Sequence, residues 1–187
     1  MRSASNLVNH FLIAMPSLAD PNFSQTVTYM CDHTEEGAMG LVINRPLEVD
    51  FSELLQHLDM QDTRKQPGYV PIYQGGPVQT DRGFVLHEGL GNWEATLAVT
   101  DNIGVTMSQD IIEAIAHNQG PARYMVMLGY AGWGNGQLED ELASNAWLNG
   151  LADPAILFDT PIEQRWTAAA SHLGIELQNL SSDIGHA

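Results

Sequence analysis

The sequence predicts an α+β fold built on a mixed β-sheet. Three observations carry that reading. Short runs of β-forming residues dominate the first half, amphipathic helical stripes return in the second, and the strict strand–helix alternation of a doubly wound fold is missing. A length of 187 residues suits one domain, and 44% hydrophobic residues are enough for a core. The expectation is a single domain over residues 1–187, with 181–187 as a flexible tail.

Each element has a local reason. Phe11–Met15 is a short apolar run closed by Pro16, hence a buried strand. Thr26–Cys31 is rich in β-formers; period two puts Val27, Tyr29 and Cys31 on one face and Thr26, Thr28 and Met30 on the other. Asp32–Gly37 reads as a polar hairpin turn, and Met39–Ile43 as the returning strand, stopped by Asn44-Arg45-Pro46. Asp50 and Glu53 form a capping pair for a helix through Leu58, with Leu54, Leu55 and Leu58 on one face. Gln61–Gly68 is a polar loop. Val70–Tyr73, Phe84–Leu86 and Ala95–Val99 are further strands. Ser108 caps a helix through His117 that turns Ile111, Ile112 and Ile115 inward, and Gly120-Pro121 stops it. Tyr124–Leu128 is a central strand and Gln137–Leu148 a helix. Thr160-Pro161-Ile162-Glu163 has the grammar of a helix start; Ile162, Trp166, Ala170 and Leu173 form its buried stripe, and Gly174 ends it.

Composition excludes more than it assigns. The chain has 23 acidic and 7 basic residues, a formal net charge of −16, yet only 16% charged residues. The typical share is about 25%, so the excess is of sign and not of number. The bases are scattered, and none lies between Arg123 and Arg165, an interval holding Glu139, Asp140, Glu141, Asp153, Asp159 and Glu163. A specific DNA binder commonly neutralises about 6–10 phosphates. The helix ending near His117 also runs through Gly120-Pro121 into a strand and not into a recognition helix. Direct nucleic-acid binding is therefore not expected. Cys31 is the one cysteine, so no intramolecular disulfide can form. The apolar run at Phe11–Met15 is shorter than the roughly 7–15 residues of a signal core, and no stretch approaches the roughly 20 of a membrane span. A soluble, cytoplasmic protein is expected, with its oligomeric state open.

Three segments combine glycines or polar side chains with the end of a buried strand. In Gly129-Tyr-Ala-Gly-Trp-Gly-Asn-Gly136 four glycines stand between a strand and a helix, where backbone N–H groups can cradle an anion. The spacing is neither that of a dinucleotide-binding loop nor that of a P-loop. Glu139, Asp140 and Glu141 crowd the following helix start and repel a phosphate, so a cationic, neutral or metal-bridged ligand suits the loop better. The alternative is a tight turn that packs Trp133 on the sheet. Gly75-Gly76-Pro77 makes a corner that brings backbone close to something; nearby Arg82 can clamp a carboxylate and His87 can act as an acid–base group. The alternative is a hairpin with His87 as a satisfied polar residue. Asn44-Arg45 delivers an amide and a guanidinium to one sheet edge, or simply ends a strand. Cys31-Asp32-His33 with Glu35 and Glu36 reads as a buried thiol followed by a solvated hairpin tip more readily than as a nucleophile or metal site. No metal ligand set is expected: H-x-x-x-H, C-x-x-C and EF-hand patterns are all missing.

These segments also carry a resemblance. Phe11–Pro16, Asp20–Phe23, Gly40–Pro46, Gly75–Val78, Val85–His87, Leu128–Trp133, Gly136–Glu139, Glu141-Leu142, Trp147 and the ending Gly185-His186-Ala187 resemble the AlgH/YqgE family of bacterial proteins, in order over nearly the whole chain. The resemblance implies a strongly curved, partly closed mixed sheet surrounded by helices. It implies no settled activity; members are often labelled transcriptional regulators through an association with alginate control. The motif residues that transfer are Asn44, Arg45, Gly75, Gly76, Pro77, His87, Gly129, Gly132, Trp133, Gly136, Gln137, Glu141 and Trp147, none with an established role.

Two functional expectations follow. The first is a small-ligand or enzymatic pocket formed jointly by the Asn44 loop, the Gly75–Pro77 corner and the Gly129–Gln137 loop. Arg45 would orient a polar ligand, Trp133 or Trp147 would stack, and His87 or Glu141 would handle a proton; catalytic residues and cofactor stay unassigned. The second is an adaptor acting on transcription indirectly, through protein partners.

Overall fold

The computed structural model describes residues 6–65 and 67–184, with side chains described as far as residue 180. The expected 181–187 tail and the family-like ending therefore lie, for side chains or altogether, outside the described residues. The chain is a mixed α/β domain with a strongly curled, half-barrel antiparallel sheet. Its strands are β1 (His10–Ala14), β2 (Val27–Thr34), β3 (Gly37–Val42), β4 (Pro46–Asp50), β5 (Pro71–Gln74), β6 (Val78–Glu88), β7 (Thr96–Ala98), β8 (Ile103–Thr106), β9 (Tyr124–Trp133) and β10 (Trp147–Leu151). Its helices are α1 (Phe51–His57), α2 (Gln109–Ala116), α3 (Gln137–Ala143), α4 (Pro154–Phe158), α5 (Arg165–His172) and α6 (Leu177–Ile184). The sheet runs β10-β1-β2-β3-β9-β6-β8-β7, and β4-β5 joins at β9 through the one parallel pairing, Ile72 opposite Val126.

β9 organises everything. Along one edge it pairs with β6. Along the other it pairs first with β5, through Val126–Leu128, and then with β3, through Ala131–Trp133. The seam between β3 and β5 falls at Gly75, whose N–H donates to Leu128 O and whose carbonyl accepts from Val42 N, each at 2.8 Å.

Both faces of the sheet are covered. One carries Phe11, Tyr29, Leu41, Phe84 and Met127 against Ile156 and Leu157 of α4, Ala169 and Ala170 of α5, and Leu177 of α6. The other is shared by two groups. Phe51 and Leu55 of α1 and Ile111, Ile112 and Ile115 of α2 pack on Ile72, Val85 and Val126. Leu138 of α3 packs on Leu12, Met30, Trp133 and Trp147. Thr26, just before β2, and Thr28 within it are fully buried as well. Arg165 is buried with its guanidinium 5.3 Å above the Tyr73 ring, donating to Thr160 O and Ile43 O, so it ties α5 to the end of β3. Among the described residues no helix is long and apolar enough to cross a membrane.

Several elements differ from the sequence expectation. The segment from Gly129 to Trp133 is the second half of β9 and not a loop before a helix. The expected helix Gln137–Leu148 stops at Ala143, and Trp147–Leu151 is a strand, because β1 offers it an antiparallel partner (Phe11 opposite Gly150). The hydroxyl of Thr160 donates to Ala155 O and does not cap; Ile162–Gln164 is a 3-10 turn before α5. β4, β8, α4 and α6 carry patterns too short or too polar to stand out alone. The capping of α1 by Asp50, whose carboxylate accepts from Glu53 N at 2.9 Å, is as read.

Candidate functional site

The glycine motifs meet each other. A Cβ on Gly76 would stand 2.1 Å from Tyr130 C, and one on Gly129 would stand 2.5 Å from Gly76 O. Real atoms never approach so closely, so the Gly75-Gly76 corner crosses directly over the Gly129-Tyr130 backbone, and Gly129 bends there at φ +77°. Gly76 and Gly129 serve chain-on-chain contact. α3, which follows, has only seven residues and opens with Glu139 and Asp140.

The Asn44 loop is also committed internally. Asn44 Oδ1 accepts from Val27 N and its amide donates to Gln25 O, both at 2.9 Å. Arg45 donates to Pro21 O and Ser24 O. Together they fasten the loop that leads into β2, so neither faces a ligand. His87, expected as an acid–base group, is fully buried. Its Nδ1–H donates to Gly89 O, and its Nε2 lies in hydrogen-bond contact with the Thr106 hydroxyl, both at 2.7 Å; Thr106 meets Thr96 in turn. Burial lowers its pKa below the usual histidine value, which favours the neutral ring with Nε2 accepting from Thr106. Glu141 Oε1 accepts from the indole N–H of both Trp147 (3.2 Å) and Trp133 (3.4 Å), and the two rings pack edge-on with Phe23 beside them. Gln137 accepts from Gly134 N at 3.0 Å. Pro77 is exposed, beyond the corner. None of the four main cavities among the described residues is lined by Asn44 or Gly76, and Trp133 lines one of them without either.

Two smaller readings resolve in the same way. Cys31 is buried, its thiol pushed up by desolvation and by Asp32 beside it, and it donates to Tyr29 O, so it is no nucleophile. His33 is a link and not part of a solvated tip: Leu7 N–H donates to Nδ1 at 3.0 Å, which leaves Nε2–H to donate to Glu139 at 2.8 Å. That bond holds the Glu139 carboxyl below its usual range. Among the described residues no three histidine, cysteine or acidic side chains gather as a metal site.

The open space lies elsewhere. Opposite Leu128–Tyr130 the register of β6 jumps from Val78 to Gly83, so residues 79–82 bulge out of the sheet, with Gln79 at φ +46°. The bulge throws Arg82 onto the rim where β8 ends. A cavity of about 550 Å³ opens there between the β2–β3 hairpin and the second half of β9; Arg82, Asp32 and Glu36 give it charge, and Met39, Phe84 and Tyr130 give it an apolar floor. Of the motif residues, only Gly132 and Trp133 reach it. A second cavity of about 260 Å³ lies across the rim between α1, α2 and the sheet, and Arg82 and Met107 border both. The Arg82 guanidinium stands 5.5 Å over the Phe84 ring, donating to Gln79 Oε1 at 3.2 Å and to the Met107 sulfur at 3.6 Å. Among the described residues no carboxylate lies within ion-pairing distance of it. The sequence marked Arg82 as a carboxylate clamp but gave no sign of its neighbours. They come from five separate strands and loops, and only the bulge brings them together.

Comparison with known proteins places the chain. A profile of the AlgH-like family matches residues 11–178. A protein of Nitrosococcus oceani named UPF0301 protein is 51% identical over 187 residues, covering 100% of both chains. One from Thioalkalivibrio sulfidiphilus is 52% identical over the same span. The solution structure of the AlgH protein from Pseudomonas aeruginosa is 51% identical and superimposes with a TM-score of 0.79, over 100% of this chain and 99% of that one. A crystal structure of a Corynebacterium diphtheriae protein shares the fold at 18% identity, with a TM-score of 0.73 over 97% and 94% of the two chains.

Proposed function

The chain belongs to the AlgH-like family, and from that premise we propose that it binds a small anionic or zwitterionic ligand at Arg82. One observation supports the reading above the others. Arg82 is a cation without a carboxylate partner among the described residues, fixed over an aromatic ring, at the junction of two cavities. A guanidinium has five donors in a planar fork, and here only two engage a protein acceptor, one of them a soft sulfur. Asp32 and Glu36 on the facing hairpin would receive the positive end of a zwitterion, and Phe84, Met39 and Tyr130 its apolar part. Binding is proposed, and not turnover, because His87 and Glu141 are held in fixed hydrogen bonds away from this cavity.

A thermal-shift screen against small metabolites tests it, run on the wild type and Arg82→Gln in parallel. A ligand present at about a hundredfold its dissociation constant stabilises by about 2.7 kcal/mol, which raises Tm by several degrees. The expected result is such a shift in the wild type and none in Arg82→Gln, with the same Tm for both proteins alone. Equal shifts in both proteins would sink the reading.

A further inference from the structure

We infer that the second cavity is the seat of an acyl chain, and that the ligand class at Arg82 is a medium-chain monocarboxylate; this rests on the Arg82 reading above. The cavity is walled by Leu54 of α1 and Leu58 just after it, Ile112 of α2, and Val85, Val126 and Leu128 of the sheet. All six are apolar, so nothing inside asks for a polar partner, and a chain entering it replaces no hydrogen bond. Of the polar groups at its mouth, the two hydroxyls are already engaged, and Gln109 adds one amide there. Thr106 bonds His87 and Thr96, and the Ser108 hydroxyl donates to Asp110 while accepting from Ala95 N. Arg82 stands at that mouth with free donors. An apolar slot that ends at one guanidinium is complementary to an apolar chain that ends in one carboxylate.

The charge state of the headgroup follows from Asp81, which borders the same mouth. Asp81 repels every negative charge that Arg82 attracts, so the headgroup with the fewest charges that can still fork onto the guanidinium meets the least repulsion. A monocarboxylate fits better than a phosphate monoester. The volume sets the length: about 260 Å³ holds a short acyl chain and not a long one, so longer acids must leave methylenes in solvent.

The test uses the whole protein with isotopically labelled Leu, Val and Ile methyl groups, titrated by NMR with hexanoate, octanoate and decanoate, and with octanol as the uncharged probe. Shifts are expected at Leu54, Ile112, Val126 and Leu128. Affinity should rise about fourfold for each methylene until the slot is full, then level off. Arg82→Gln should weaken octanoate about tenfold or more and leave octanol unchanged. Leu54→Phe, a change on a half-buried position, should fill the slot and abolish the chain-length dependence. Octanol binding as tightly as octanoate, no levelling with length, or no shift at these methyls would overturn the inference. If the acids leave these methyls unmoved while other ligands still give Arg82-dependent thermal shifts, only the acyl inference fails. If Arg82→Gln changes no ligand response at all, the binding reading fails with it.

Discussion

Two stretches along β9 make opposite use of the chain. At Gly75-Gly76 over Gly129-Tyr130 the backbones touch, and Gly75 binds both Leu128 and Val42 through its own backbone. A few residues on, at 79–82, β6 leaves the ladder and puts a cation at the joint of two cavities. The first region is the more distinctive in sequence, the second the more open in space. A rare glycine pattern reports how closely two chains pass, which is a demand of folding. A site needs unsatisfied groups, and these come from ordinary residues where regular pairing breaks.

Substitutions can break or sharpen that contrast. The largest effect is expected at the crossing. Gly129→Ala adds a Cβ 2.5 Å from Gly76 O at a left-handed position and should cost about 3 kcal/mol or more, or prevent folding; urea denaturation measures it. Gly136→Ala is the control: it shares the left-handed φ, but its Cβ meets open space, so about 1–2 kcal/mol is expected. Next comes Asn44→Ala. It orphans Val27 N–H and should lower stability by about 1–3 kcal/mol without changing any ligand response. A loss of ligand response in that variant, at matched stability, would return Asn44 to the site.

His87 gives a pH signature. Its folded pKa lies below the unfolded value near 6.5, so as pH falls through that value the unfolded chain takes up a proton that the folded chain refuses. Stability should therefore drop as pH falls from about 6.5 toward the folded pKa, and not above it. The difference in denaturation free energy between wild type and His87→Gln, followed from pH 7.5 to pH 5.5, should shrink by about a kcal/mol or less for each pH unit. A flat difference would mean that the folded ring takes up its proton as readily as the unfolded one, so that burial does not shift it. The smallest effect on stability is expected at Arg82→Gln, within about 0.5 kcal/mol of wild type, since an exposed side chain with two long hydrogen bonds holds little together. A large loss there would make Arg82 a structural residue, and the contrast between the two regions would collapse.

Much of the fold was legible. The strands at Phe11, Val27, Met39 and Tyr124 announce themselves as apolar β-rich runs, α1 by its cap and stripe, and α2 by its stripe; the Ser108 hydroxyl, expected to cap α2, donates to Asp110 instead. β10 was not legible. Trp147 and Leu148 continue a helix by composition, yet Trp147–Leu151 becomes a strand because the edge of β1 is free to pair, with Gly150 leaving room for Leu173 just after α5. Of the candidate site, Arg82 was visible as a lone base beside a glycine corner. Asp32, Met39, Phe84 and Tyr130 were not, because nothing in the local pattern of each says which cavity it will face.

By itself, then, the sequence determined the class of fold, the membership of the family, and a charge that sets nucleic acid at a disadvantage. These depend on periodicity, motif order and composition, all of which are local or additive along the chain. Only the tertiary structure decided what the motifs do. Whether a glycine, an asparagine or a histidine serves a ligand or the fold depends on what stands against it. For Gly76, Asn44 and His87 the neighbours are the backbone of β9, the loop before β2 and the hydroxyl of Thr106, brought there by pairings that join distant parts of the chain.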